Sequence, residues 1–241
     1  MKRIHSIFIS VFIITLSFAS FSCKDIVFDN PLDPNASKDV VKVIRVIDTA
    51  LTGAGDITFD GEKFWKINAL GDVSAFDMES GITIRSFQIV PGTGIAFLHN
   101  VLYLCSGQRE NTLYVVDPLS GDIVNRISTR DMYPGYIAAF NNELIVFDVR
   151  SSGIFRYDPE TGTAVRLFEM AGLTVGGMAV YKNGLLISDG NTHSIYHFSM
   201  TGDVIHVFSS PATGIGGIAV DNSDYVYLFM MDGKVYKVSL P

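Results

Sequence analysis

The side chains with the clearest chemical potential are carboxylates that close apolar runs. Asp148 ends Leu144-Ile145-Val146-Phe147-Asp148 and Asp189 ends Leu185-Leu186-Ile187-Ser188-Asp189, two segments 41 residues apart. Carboxylates at equivalent strand ends supply oxygens of the kind a hard divalent cation needs, although such a cation requires several of them. The competing use is local. Asp148-Val149-Arg150-Ser151-Ser152-Gly153 and Asp189-Gly190-Asn191-Thr192-His193 read as turns, in which the carboxylate accepts hydrogen bonds from its own loop. Loop capping is the favoured reading. Histidine and cysteine offer less: His193 and His197 are four apart, but on a loop and a strand rather than one helical face. His99 falls in a turn and His206 on an outer strand, while Cys105 ends an apolar strand and reads as a small buried residue rather than a nucleophile. A Gly-x-Ser-x-Gly elbow, a His-Glu-x-x-His pair and a phosphate loop are all absent.

A second set suits recognition rather than catalysis. Arg109, Glu110, Arg130, Tyr133, Arg150 and His193, with Asp131 and Asn191 among them, fall in loops between strand-like segments. Tyrosine and arginine carry much of the energy at binding surfaces because they bury large area and still offer polar atoms. These residues act together only if the strands bring their loops to one side.

The positioning elements emerge from an internal repeat. Asp77-Met78-Glu79-Ser80-Gly81, Asp117-Pro118-Leu119-Ser120-Gly121, Asp158-Pro159-Glu160-Thr161-Gly162 and Ser199-Met200-Thr201-Gly202 are one turn written four times, at steps of 40, 41 and 41 residues. Asp or Ser bonds back onto the turn, Pro presets φ, and Gly accepts a positive φ. A fifth copy begins at Ser239 and is cut short. Five strand openings keep the same step: Gly55-Asp56-Ile57, Gly94-Ile95-Ala96, Gly135-Tyr136-Ile137, Gly177-Met178-Ala179 and Gly217-Ile218-Ala219. Four short strands per unit of about 41 residues is the grammar of a β-propeller blade. The last unit stops after its third strand, and Val40 to Asp48 reads as a strand placed before the first opening. An unpaired edge is a liability, so the expectation is an all-β, five-bladed propeller over residues 40–241, its last blade closed by strand 40–48. The recognition loops then share one face, formed by the loops leading into each blade and the loops joining its second and third strands.

Composition sets the boundaries. The chain has 241 residues, 48% of them apolar, and two cysteines, which exclude a disulfide scaffold and a cysteine-rich zinc site. Eighteen basic against 25 acidic residues give −7, without a basic cluster beyond the first three residues, so nucleic acid is not an expected partner. Lys2 and Arg3 precede an apolar run from Ile7 to Ala19, too short for a transmembrane helix and laid out as a secretory signal. Ala19-Ser20-Phe21-Ser22-Cys23 resembles a bacterial lipoprotein signal, with Ser20 where the strict motif prefers leucine. The resemblance implies removal of residues 1–22, lipidation of Cys23, and a turn-rich tether over 23–39 that anchors the domain in the bacterial cell envelope, periplasmic or surface-exposed. Two or more acyl chains hold a protein durably where one does not.

The unit from Gly177-Met178-Ala179-Val180 through Ser188-Asp189-Gly190 to Ile195-Tyr196-His197-Phe198 resembles the blades of bacterial propellers with NHL-like, YncE-like or gluconolactonase-like repeats. Gluconolactonase-type propellers hold a divalent metal in the central channel behind an early Glu-Gly-Pro segment. The matching opening here is Gly55-Asp56-Ile57-Thr58, which offers Asp56 as a substitute ligand beside Asp148 and Asp189. Plant-type glutaminyl cyclotransferases match in blade number, but the acidic motif of their early Phe-Thr-x-Gly opening is missing. The expectation is therefore a monomeric, non-catalytic lipoprotein without a cofactor that binds a protein, peptide or glycan. The alternative is a small-molecule hydrolase or lactonase using a divalent metal such as calcium at Asp56, Asp148 and Asp189.

Overall fold

The structure is a computed structural model describing residue 32 and residues 37–107, 110–170 and 172–241; the signal segment, Cys23 and Arg109 lie outside the described residues. The chain opens with β1 (Asp39–Val40) and β2 (Lys42–Asp48). Blade 1 comprises β3 (Ile57–Phe59), β4 (Phe64–Ile67), β5 (Asp72–Phe76) and β6 (Thr83–Gln88). Blade 2 comprises β7 (Gly94–Leu98), β8 (Val101–Cys105), β9 (Thr112–Val116) and β10 (Ile123–Ser128). Blade 3 comprises β11 (Pro134–Phe140), β12 (Glu143–Asp148), β13 (Gly153–Tyr157) and β14 (Ala164–Glu169). Blade 4 comprises β15 (Val175–Tyr181), β16 (Gly184–Asp189), β17 (Ser194–Ser199) and β18 (Val204–Ser209). Blade 5 has β19 (Ile215–Val220), β20 (Val226–Met230) and β21 (Lys234–Ser239), and takes β2 as its outer strand. This is the five-bladed, all-β propeller that the repeat specifies.

The turn chemistry holds the blades in register. In the turn after β5, Asp77 Oδ1 accepts the Glu79 and Ser80 N–H groups at 3.1 and 2.7 Å, and Gly81 takes φ +71°. In blade 3, Asp158 Oδ1 accepts the Glu160 N–H at 2.8 Å, and Gly162 sits at +70°. Ring closure follows from antiparallel pairing of β2 with β21, in which Val46 lies opposite Tyr236 and Ile47 opposite Val235. One feature lies outside the repeat arithmetic. The chain just before β2 forms β1, which adds a fifth, parallel strand to blade 4 through Asp39–Phe208 and Val40–Ser209. Lys38 Nζ also reaches the Thr192 carbonyl in blade 4 at 3.5 Å.

The apolar residues segregate into five clusters, each filling the gap between two neighbouring blades. Trp65, Val73 and Leu104 fill the gap between blades 1 and 2, and Leu113, Val146 and Tyr157 that between blades 2 and 3. Phe147, Ile187 and Tyr196 do the same for blades 3 and 4, and Leu186, Phe208 and Leu228 for blades 4 and 5. The remaining cluster joins blade 5 to blade 1 and contains Ile47 of β2 with Phe64, Phe76, Tyr227 and Phe229. The ring is thus held by strand alternation, each blade presenting one apolar face forward and the other backward.

Candidate functional site

The inner strands converge on the axis, and there the sequence places a single carboxyl group. Asp56 precedes β3 at the register occupied by Gly94, Tyr136, Gly177 and Gly217 in the other blades. It is fully buried. Its Oδ1 accepts the N–H groups of Ile57 at 2.9 Å and Ile218 at 3.1 Å, and its Oδ2 accepts that of Met178 at 3.4 Å. One side chain therefore links blades 1, 4 and 5. Glycine is required opposite it: a Cβ on Gly177 would stand 2.5 Å from Asp56 Oδ1, and one on Gly217 would stand 2.7 Å from the Ile57 nitrogen. Burial pushes the Asp56 carboxyl well above the usual aspartate range, against the three N–H groups, which favour the charged form. The channel volume is about 110 Å³, with walls of Ile57, Ile95, Ile137, Met178 and Ile218 among others.

The other candidate carboxylates are engaged in their own loops. Asp148 Oδ1 accepts the Tyr133 and Arg150 N–H groups at 2.8 and 3.2 Å, while Ser151 Oγ donates to Oδ2 at 2.5 Å. Asp189 repeats the arrangement one blade on, with the N–H groups of Thr174 at 3.0 Å and Asn191 at 3.1 Å and the Thr192 hydroxyl at 2.6 Å. Each ties the loop between second and third strands to the loop leading into its blade. Among the described residues no three His, Cys, Asp or Glu side chains converge on one point. A donor set already saturated by N–H and O–H groups, in three separate places, does not fit a divalent ion. Cys105 is buried, its thiol raised by burial and by the Asp56 charge, and it donates to the Gly94 carbonyl at 3.8 Å.

Among the loops expected to carry recognition, the structure groups some of the sequence candidates and separates others. The Arg150 guanidinium lies over the Tyr133 ring at 5.6 Å. Arg150 and Asp131 border a hollow of about 510 Å³ floored by Met132, Asp148, Ser151 and Phe155. Arg130 is exposed at φ +57°, and its carbonyl accepts from Asn111 Nδ2 at 2.8 Å, which ties the loop before β9 to the connection leaving blade 2. Glu110 is exposed and accepts the Tyr114 hydroxyl at 3.1 Å. His193 stands apart in blade 4 at φ +51°, its carbonyl taken by the Ser210 N–H at 2.9 Å and its Nδ1 buried without a hydrogen-bond partner.

Sequence reasoning missed one residue, Lys66 in β4. It is only 3% exposed and faces a cleft of about 460 Å³ between blades 5 and 1. Its ammonium donates to the Thr52 carbonyl at 2.9 Å and lies 4.5 Å from the Phe229 ring centroid. Burial lowers its pKa to about 8, while the nearby Asp72 charge acts upward. The signal was available: Phe64-Trp65-Lys66-Ile67 is a core strand with one charge in it.

No protein-family model and no curated protein matches the chain. Solved structures do. A glutaminyl cyclase from Myxococcus xanthus superposes with a TM-score of 0.71 at 15% identity, over 84% of this chain and 97% of that one. The β-propeller domain of Cps50 (Swd1) from Myceliophteria thermophila gives 0.55 at 8% identity, over 83% and 100%. The chain is a β-propeller. At these identities the likeness is one of fold, which unrelated activities share.

Proposed function

We propose that this propeller is a non-catalytic binding module of the bacterial cell envelope, held to a membrane through a lipidated Cys23 and a tether ending near residue 39. It recognises a protein, peptide or glycan on the face built by the loops leading into the blades and those joining second and third strands. The observation that carries this reading is the Arg150 guanidinium over the Tyr133 ring, with Arg150 also lining the blade 3 hollow. A half-buried aromatic ring with a cation over it is a preorganised anchor. The Asp148 carboxylate supports it from below by holding the Tyr133 and Arg150 backbones together. The Myxococcus xanthus neighbour is a glutaminyl cyclase, whereas the carboxyl group at the axis of this chain accepts three backbone N–H groups.

Two measurements test this. Tyr133→Ala combined with Arg150→Ala should weaken binding to envelope extracts or arrayed glycans at least tenfold, because truncated anchors typically cost about 2 kcal/mol or more. Unchanged binding moves the interface elsewhere, and turnover of a peptide with an N-terminal glutamine would replace this reading with a catalytic one. For the anchor, Cys23→Ala should shift the protein from the membrane pellet to the soluble fraction; retention in the pellet refutes lipidation.

A further inference from the structure

The five blades can be compared residue by residue, and one of them breaks the pattern. Along the row that faces the preceding blade, Leu104 pairs with Tyr114, Val146 with Phe155, Ile187 with Tyr196 and Leu228 with Tyr236. An aliphatic residue on the second strand thus meets an aromatic one on the third, and in each of blades 2 to 5 the pair packs into the cluster behind it. In blade 1 the same register holds Lys66 opposite Ser74, with Ser86 beyond it on the outer strand. The side chains that seal four interfaces are missing from the fifth, and the cleft of about 460 Å³ opens there. Such a volume lies within the range of small-molecule sites, roughly 300–1,000 Å³.

A buried cation in place of a core leucine is a stability cost that packing does not explain. What surrounds it points to a ligand. The lining supplies the Lys66 ammonium, the Gln88 amide, the Ser74 and Ser86 hydroxyls 2.9 Å apart, and the Asp72 carboxylate, one oxygen of which accepts the Asn68 amide at 2.9 Å while the other is left for a ligand. Lys66 and Asp72 are the charged groups of the lining.

We infer that the cleft between blades 5 and 1 binds a small hydroxylated carboxylate of the sugar-acid class, its carboxylate on Lys66 and its hydroxyl groups on Asp72, Ser74, Ser86 and Gln88. This site is separate from the Tyr133–Arg150 face. The ammonium keeps its bond to Thr52 and still has donors for an anionic oxygen. The polyol part of such a ligand needs both donors and acceptors, which the Gln88 amide, the two hydroxyls and the second Asp72 oxygen provide.

The test is calorimetric titration of the full propeller with glucuronate and with glucose. Glucuronate should bind at least tenfold more tightly, since a charge-assisted hydrogen bond separates the two; equal binding, or none by either, overturns the proposal. Lys66→Leu with Ser74→Tyr rebuilds the pair that blades 2 and 5 carry. It should abolish glucuronate binding and raise the melting temperature by about 5 °C. A double variant that binds as the wild type does, or one that melts lower, shows Lys66 and Ser74 to be structural and overturns it.

Discussion

A chain lacking residues 39–48 is expected to melt at least 10 °C below the intact domain and to aggregate on standing. Two side chains account for most of the loss. Ile47 is 4% exposed within the cluster of Phe64, Phe76, Tyr227 and Phe229, and Val41 is 5% exposed against Phe208 and Val238. Burying each contributes about 1.5–3 kcal/mol, so their removal costs about 3–6 kcal/mol, a large share of a domain's usual 5–15 kcal/mol. For a chain of this size each kcal/mol shifts the midpoint by about 2–4 °C. Deletion also bares β21, whose backbone groups then template pairing with a second chain. Calorimetry and light scattering measure both effects; a midpoint within about 2 °C of the intact domain, with no particle growth, contradicts the closure of blade 5 by β2.

Asp56→Ala is the second large change. It leaves the N–H groups of Ile57, Met178 and Ile218 without their acceptor at the centre of the ring. An unsatisfied buried donor costs about 1–3 kcal/mol, and relief of the buried carboxyl offsets part of the sum, leaving a loss of about 3 kcal/mol. Asp56→Asn keeps one acceptor and should fall between the two. The pH dependence separates charge from geometry. Burial raises the Asp56 pKa above its unfolded value, so between those values the folded protein holds a proton that the unfolded chain has lost. The associated stability is fully present below the ordinary aspartate range, about 3.9, and is lost as pH rises through the raised value. Asp56→Asn should flatten that slope in denaturant titrations at stepped pH; an unchanged slope assigns the effect to another group.

The architecture was legible because its determinants are local and repeated. Asp158 and Gly162 specify their turn through bonds within five residues, and four copies of such a turn announce the period before any long-range contact is considered. Closure by β2 was legible from the count of strands. Of the candidate surface only the residue types were legible, not their juxtaposition: Tyr133 and Arg150 are 17 positions apart in sequence but meet because Asp148 gathers both backbones. The structural role of Asp56 was not legible, because nothing local reveals that Met178 and Ile218 donate to it from across the axis. Lys66 escaped notice for a different reason. Its meaning lies in the contrast with Leu104, Val146, Ile187 and Leu228, which requires exact strand register, and turn spacing locates that only to within a residue or two. β1 has no signal at all, being two residues held by an edge that happens to be nearby.

The pairing of β2 with β21 also sets a timetable. Val46 and Tyr236 are about 190 residues apart, so the earliest-made part of the ring must wait for the last-made part before it finds its partner. Closing so long a loop is slow. During synthesis, blades 1 to 4 can form while the Lys-Val-Ile-Arg-Val-Ile-Asp segment is still a naked ribbon. The charges of Lys42, Arg45 and Asp48 in that ribbon are then a safeguard for the nascent chain, interrupting its apolar run through the interval before the circle shuts.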